Sequence, residues 1–77
     1  MTERTDAEEV AELIRLRLPE IDPNLSVSIE YTEVIPNTGK SYSDWVLVFR
    51  GDGIRSFTMD ATIDLDAIRR AVRDSSL

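Results

Sequence analysis

Five apolar residues, Trp45-Val46-Leu47-Val48-Phe49, run without a break between Asp44 and Arg50. The run is too short for a helix of its own and rich in β-branched and aromatic side chains, so it predicts a strand. Apolar residues on both of its faces suit the centre of a small sheet. Upstream, the pattern alternates from Leu25 to Val34. Leu25, Val27, Ile29 and Tyr31 fall on one side and Ser26, Ser28, Glu30 and Thr32 on the other, as in a half-buried strand. Further upstream, Val10, Leu13, Ile14, Leu18 and Ile21 recur at helical spacing and predict a helix over 6–18. Pro19 ends it, because proline disfavours the helical conformation at the residue before it. Downstream, a third strand begins at Ile54. A second helix carries the stripe Leu65, Ile68, Ala71 and Val72.

Turn and cap residues sharpen these boundaries. Thr5 with Glu8 matches the reciprocal capping box, and Asp6, Glu8 and Glu9 suit the first turn of a helix. Asp60, Thr62 or Asp64 caps the second helix, and Arg69, Arg70 and Arg73 suit its last turns. Residues 35–41 read as a turn-rich loop. Gly51-Asp52-Gly53 reads as a three-residue hairpin loop with Gly53 in the left-handed position. That loop sets a register in which Arg50 faces Ile54, Leu47 faces Phe57 and Trp45 faces Met59. Trp45, Leu47, Phe49, Phe57 and Met59 then share the core face, with Trp45 a core residue. Val46, Val48, Ile54, Ser56 and Thr58 share the other.

The expected fold is therefore α+β, in the order α-β-β-β-α. It is a three-stranded antiparallel meander, order 1-2-3, with two helices packed on one face. Residues 1–77 form one domain, with 1–4 and 75–77 frayed. Helices on opposite faces would fit the same pattern but bury the second face. With both helices on one side, Thr32, Val46, Val48, Ile54, Ser56 and Thr58 form a candidate protein interface on the open face. The two outer strands are edges, where another chain could add a strand.

Composition narrows the function. The 77 residues include no cysteine and no histidine. Disulfides, thiolate metal sites and the commonest neutral-pH general base are thus removed together. With no catalytic constellation in view, no enzyme, no cofactor and no metal site are expected. No apolar run approaches the ~20 residues that cross a bilayer, and the start of the chain lacks an apolar signal core. A cytoplasmic protein is expected. The net charge of −6 repels phosphate backbones, so direct nucleic-acid binding is not expected. Of nine basic residues only Lys40 is a lysine. Genome composition, salt adaptation and an acidic functional surface all account for this balance. Glu8, Glu9, Glu12, Asp60, Asp64 and Asp66 are the candidate acidic patch.

Short motifs add little. Gly39-Lys40-Ser41 matches the end of a phosphate-binding loop, but position 34 is valine and a strand, not a helix, follows. Arg50-Gly51-Asp52 matches an adhesion tripeptide, yet its residues are those a tight turn requires. Asn24-Leu25-Ser26 matches a glycosylation acceptor that export alone would use. Asp60, Asp64 and Asp66 lack the spacing of a calcium loop and read as caps and dipole partners.

The order helix-strand-strand-strand-helix resembles that of double-stranded-RNA-binding domains. That family holds phosphates with a lysine-rich start to its second helix. Here Thr62-Ile63-Asp64-Leu65-Asp66 stands there, so none of its binding residues carries over. The expectation is a small acidic non-enzymatic interaction module, acting through the open sheet face or an edge strand, alone or as a homodimer. The alternative is an acidic inhibitor that mimics nucleic-acid charge, of the kind phages encode, and binds a basic nucleic-acid-binding protein.

Overall fold

In the computed structural model, which describes residues 2–77, the first helix α1 covers Arg4–Arg17. Its N-cap is Glu3, whose extended backbone turns into the helix without a side-chain hydrogen bond. Thr5 already lies inside the helix, so the expected capping box does not form. Glu8 instead accepts a hydrogen bond from Arg4 one turn earlier, at 2.9 Å. Pro19 ends the α-helix as expected. A single 3₁₀ turn, Leu18–Glu20, follows, and the Ile21 and Asp22 amides both donate to the Leu18 carbonyl.

The face that α1 buries is Ala7, Ala11, Ile14 and Leu18. Leu13, expected on the apolar stripe, is 46 % exposed. The physical reason is the alanines. Placed four apart, they let the helix backbone sit close to the sheet, with Ile14 and Leu18 continuing the same line. Leu13 is one residue, or about 100°, away from Ile14 around the axis.

The three strands are β1, Ser26–Val34; β2, Tyr42–Gly51; and β3, Ile54–Asp60. They form an antiparallel sheet in the order β1-β2-β3. The alternation of β1 holds: Val27 faces Phe49, Ile29 faces Leu47 and Tyr31 faces Trp45. Between β2 and β3 the register differs from expectation. Leu47 faces Met59 and Phe49 faces Phe57, two residues from the predicted pairing. Two local events explain it. The turn is tighter, with Gly51 paired to Ile54 and only Asp52-Gly53 between them. A β-bulge between the Phe49 and Gly51 pairs then places an extra residue on β3. Each event shifts the pairing by one. Their sum is even, so Phe57 and Met59 keep the core face. Ile54 lies between the two events, is shifted only once, and so changes face. It packs against the core rather than on the open side.

Gly53 has φ of +73°, as the turn requires. Gly51 is needed for space: a Cβ there would stand 3.2 Å from the Asn24 carbonyl oxygen and 3.3 Å from Leu25 Cδ1.

The second helix, α2, covers Leu65–Asp74. Of the three candidate caps, Asp64 serves: its Oδ1 accepts from the Ala67 amide at 3.0 Å. Ile68 is fully buried in the cluster that also contains Ile14, Leu18, Leu47 and Phe49, and Leu65 and Val72 pack beside it. Both helices therefore cover one face. The rings of Phe49 and Phe57 stack at 4.9 Å within that core. The last residues, expected to fray, are bound. Ser76 bridges to Ile54, and the Arg55 and Leu77 amides donate to the Ser75 and Gly53 carbonyls.

Candidate interaction surface

The uncovered face of the sheet is more polar than expected. Val46 lies between Glu30 and Asp60 on the flanking strands, and Val48 between Ser28 and Thr58. The valines are only 5 % and 4 % exposed. Neither belongs to the main core, so their burial comes from the longer or raised side chains around them on the same face. Arg50 adds to this cover by reaching Ser28 Oγ at 3.3 Å. Of the six candidate interface residues, Thr32, Val46, Val48, Ser56 and Thr58 share this face and Ile54 does not. No contiguous apolar patch results, because Ile54 has left and the two valines form a sunken floor.

The six candidate acids do not act as one patch either. Glu8 pairs with Arg4 and Glu12 with Arg15, at 2.9 and 2.6 Å. Asp66 pairs with Arg69 at 3.4 Å, and Asp64 is a helix cap. These exposed pairs are each worth about 0.5 kcal/mol, so they exchange readily for other partners. Glu9 and Asp60 remain on separate elements. Among the described residues no three side chains are grouped as metal ligands would be.

The edges of the sheet differ from each other. The start of β3 is covered by the C-terminal residues through the Ile54–Ser76 bridge. The outer side of β1 pairs with no strand among the described residues. One backbone contact is made there: Arg15 on α1 donates from Nη2 to the Val27 carbonyl at 3.0 Å. That contact fixes which groups face outward. An antiparallel ladder alternates, so with the Val27 carbonyl outside, the amides and carbonyls of Ile29, Tyr31 and Glu33 also point away from β2. The Tyr31–Trp45 ring contact, 5.3 Å between centroids, suits the close side chains of such a non-hydrogen-bonded pair.

Alongside this edge runs a shallow groove of about 410 Å³, lined by Glu8, Ala11, Glu12 and Arg15 of α1 and by Ser28 and Ile29 of β1. Trp45 is half-buried rather than a core residue. Tyr31 packs against its ring, and the Arg4 guanidinium lies 5.5 Å from its centroid. Trp45 lies beside the first turn of α1, where the Arg4 side chain reaches its ring. Glu30 and Glu33, exposed on β1, have no ion-pair partner among the described residues. Sequence reasoning recognised β1 as an edge but not Arg15, Glu30 or Glu33 as its marked residues. The available signal was the β1 alternation, which fixes the face of Glu30 and Glu33. The reach of Arg15 depends on where α1 docks.

No family model, curated protein or solved structure matches the chain. No helix among the described residues is long and apolar enough to cross a membrane.

Proposed function

We propose that the chain is a non-enzymatic protein-interaction module that receives a strand of another polypeptide along the outer edge of β1. The observation that carries this reading is the β1 edge, unpaired among the described residues, where the Arg15 side chain occupies one backbone acceptor. Main-chain groups displayed in this way bind an extended segment at little cost in reorganisation. Of the two surfaces foreseen, the uncovered face has less support, since its valines are sunken. Mimicry of nucleic-acid charge has less support as well, since Glu8, Glu12 and Asp66 are in ion pairs and Asp64 caps a helix.

The test compares two variants in affinity capture from cell extract. Glu33→Pro removes an outward amide without costing a β1–β2 hydrogen bond. Thr58→Lys alters the uncovered face. A partner retained by Thr58→Lys and lost by Glu33→Pro supports the edge. The opposite result would move the function to the uncovered face.

A further inference from the structure

We infer that the segment received at the β1 edge is a cationic extended peptide rather than a second copy of this chain. The inference rests on the edge-strand reading and adds the chemistry of the occupant. A strand laid beside Ile29–Glu33 would send alternate side chains to the two sides of the sheet. On the helix side they enter the groove lined by Glu8, Glu12 and Arg15, the arginine being held by Glu12 and the Val27 carbonyl, and further along the strand alternation places Glu33. On the uncovered side they meet Glu30, with Ser28 and Thr32 as its neighbours on that face and Arg50 held against Ser28 at one end. Carboxylates thus await the incoming strand on both sides. Two of them, Glu30 and Glu33, have no ion-pair partner among the described residues, and two are held by exposed arginine pairs that a competing cation can replace.

A second copy fits this edge poorly. Two-fold pairing of β1 with itself would bring Glu30 and Glu33 of both copies into one seam, on chains that each carry −6. Like charges close across a strand pair are destabilising. Arg15 adds a further feature. Its guanidinium already donates to the Val27 carbonyl, where an incoming strand would place an amide, so it marks the end of the receiving segment.

The experiment is amide hydrogen exchange, followed residue by residue by NMR. The protein is examined alone over a concentration series, and then with end-capped peptides of about ten residues alternating threonine with lysine or with glutamate. The expected result is exchange slowed by about tenfold or more at Ile29, Tyr31 and Glu33 with the lysine peptide. The effect should weaken in molar potassium chloride and be absent with the glutamate peptide. The double variant Glu8→Gln, Glu12→Gln should weaken it with the backbone edge intact, and Glu33→Pro should remove it. Circular dichroism checks that each variant is folded.

Protection of the same amides by raised protein concentration alone would overturn the cationic partner in favour of self-association and leave the edge reading standing. Equal protection by both peptides would likewise overturn the charge argument alone. No protection at these three amides under any condition, or shifts confined to Thr58 and Asp60, would overturn the edge reading together with this inference.

Discussion

At Gly51 a methyl group would be crowded, with a Cβ 3.2 Å from the Asn24 carbonyl oxygen and 3.3 Å from Leu25 Cδ1. A methyl group there meets the Asn24 backbone, which cannot rotate away as a side chain could. Gly51→Ala should therefore destabilise the protein by about 1–3 kcal/mol, read from urea unfolding followed by circular dichroism. Gly53→Ala has free space and should cost only about 1 kcal/mol, through its positive φ. Phe49 is the opposite case. It is fully buried and stacked on Phe57, and Phe49→Ala should cost about 3–5 kcal/mol. In a domain this small that is comparable with the whole stability, so the expected outcome is loss of the cooperative unfolding transition.

At the scale of elements, the caps and edges carry the next expectations. Asp64→Ala removes the side-chain N-cap of α2 and should cost about 1 kcal/mol, with loss of helical signal from Leu65 onward on heating. Removal of Ser75–Leu77 should speed exchange of the Arg55 amide, whose acceptor is the Ser75 carbonyl, while leaving Ile29 and Tyr31 unchanged. Element order, strand alternation and the end of α1 at Pro19 were legible because each has a local chemical signal. The docked face of α1 was not, because Ala7 and Ala11 are weakly apolar and Leu13 outweighs them in any count of hydrophobic spacing. The register of β3 is marked by the break in alternation between Ile54 and Phe57, three residues apart and both inward, and regular pairing with Ile54 on the open face misreads it. The candidate patch failed with it: Ile54 stood on the wrong side. The free edge was half legible. A meander has two edges, and only the contact of the C-terminal residues with Ile54 shows that β3 is partly covered while β1 is not.

For the whole molecule, charge and face polarity act together. With Val46 and Val48 sunk between polar neighbours, the uncovered face of the sheet offers little apolar surface to a second copy. A net charge of −6 on 77 residues adds long-range repulsion at low salt. Sedimentation equilibrium from low salt to molar potassium chloride should give a folded monomer throughout. A dimer that tightens as salt rises would count against the cationic-strand reading, since screening would then be revealing an apolar self-contact.

The extra residue on β3 also makes the hairpin a ladder with one spare rung. Inside and outside along β3 depend on whether an odd or even number of residues separates each position from the turn. Two residues, Arg55 and Ser56, stand where the partner strand offers Arg50 alone. A chain lacking Arg55 could close that place as a regular pair and keep Ile54, Phe57 and Met59 inward. A chain lacking Thr58 would have to reverse the sidedness of part of β3 and turn core residues outward. Single deletions along this strand should therefore divide sharply: the deletion of Arg55 unfolds cooperatively, and the deletion of Thr58 does not fold.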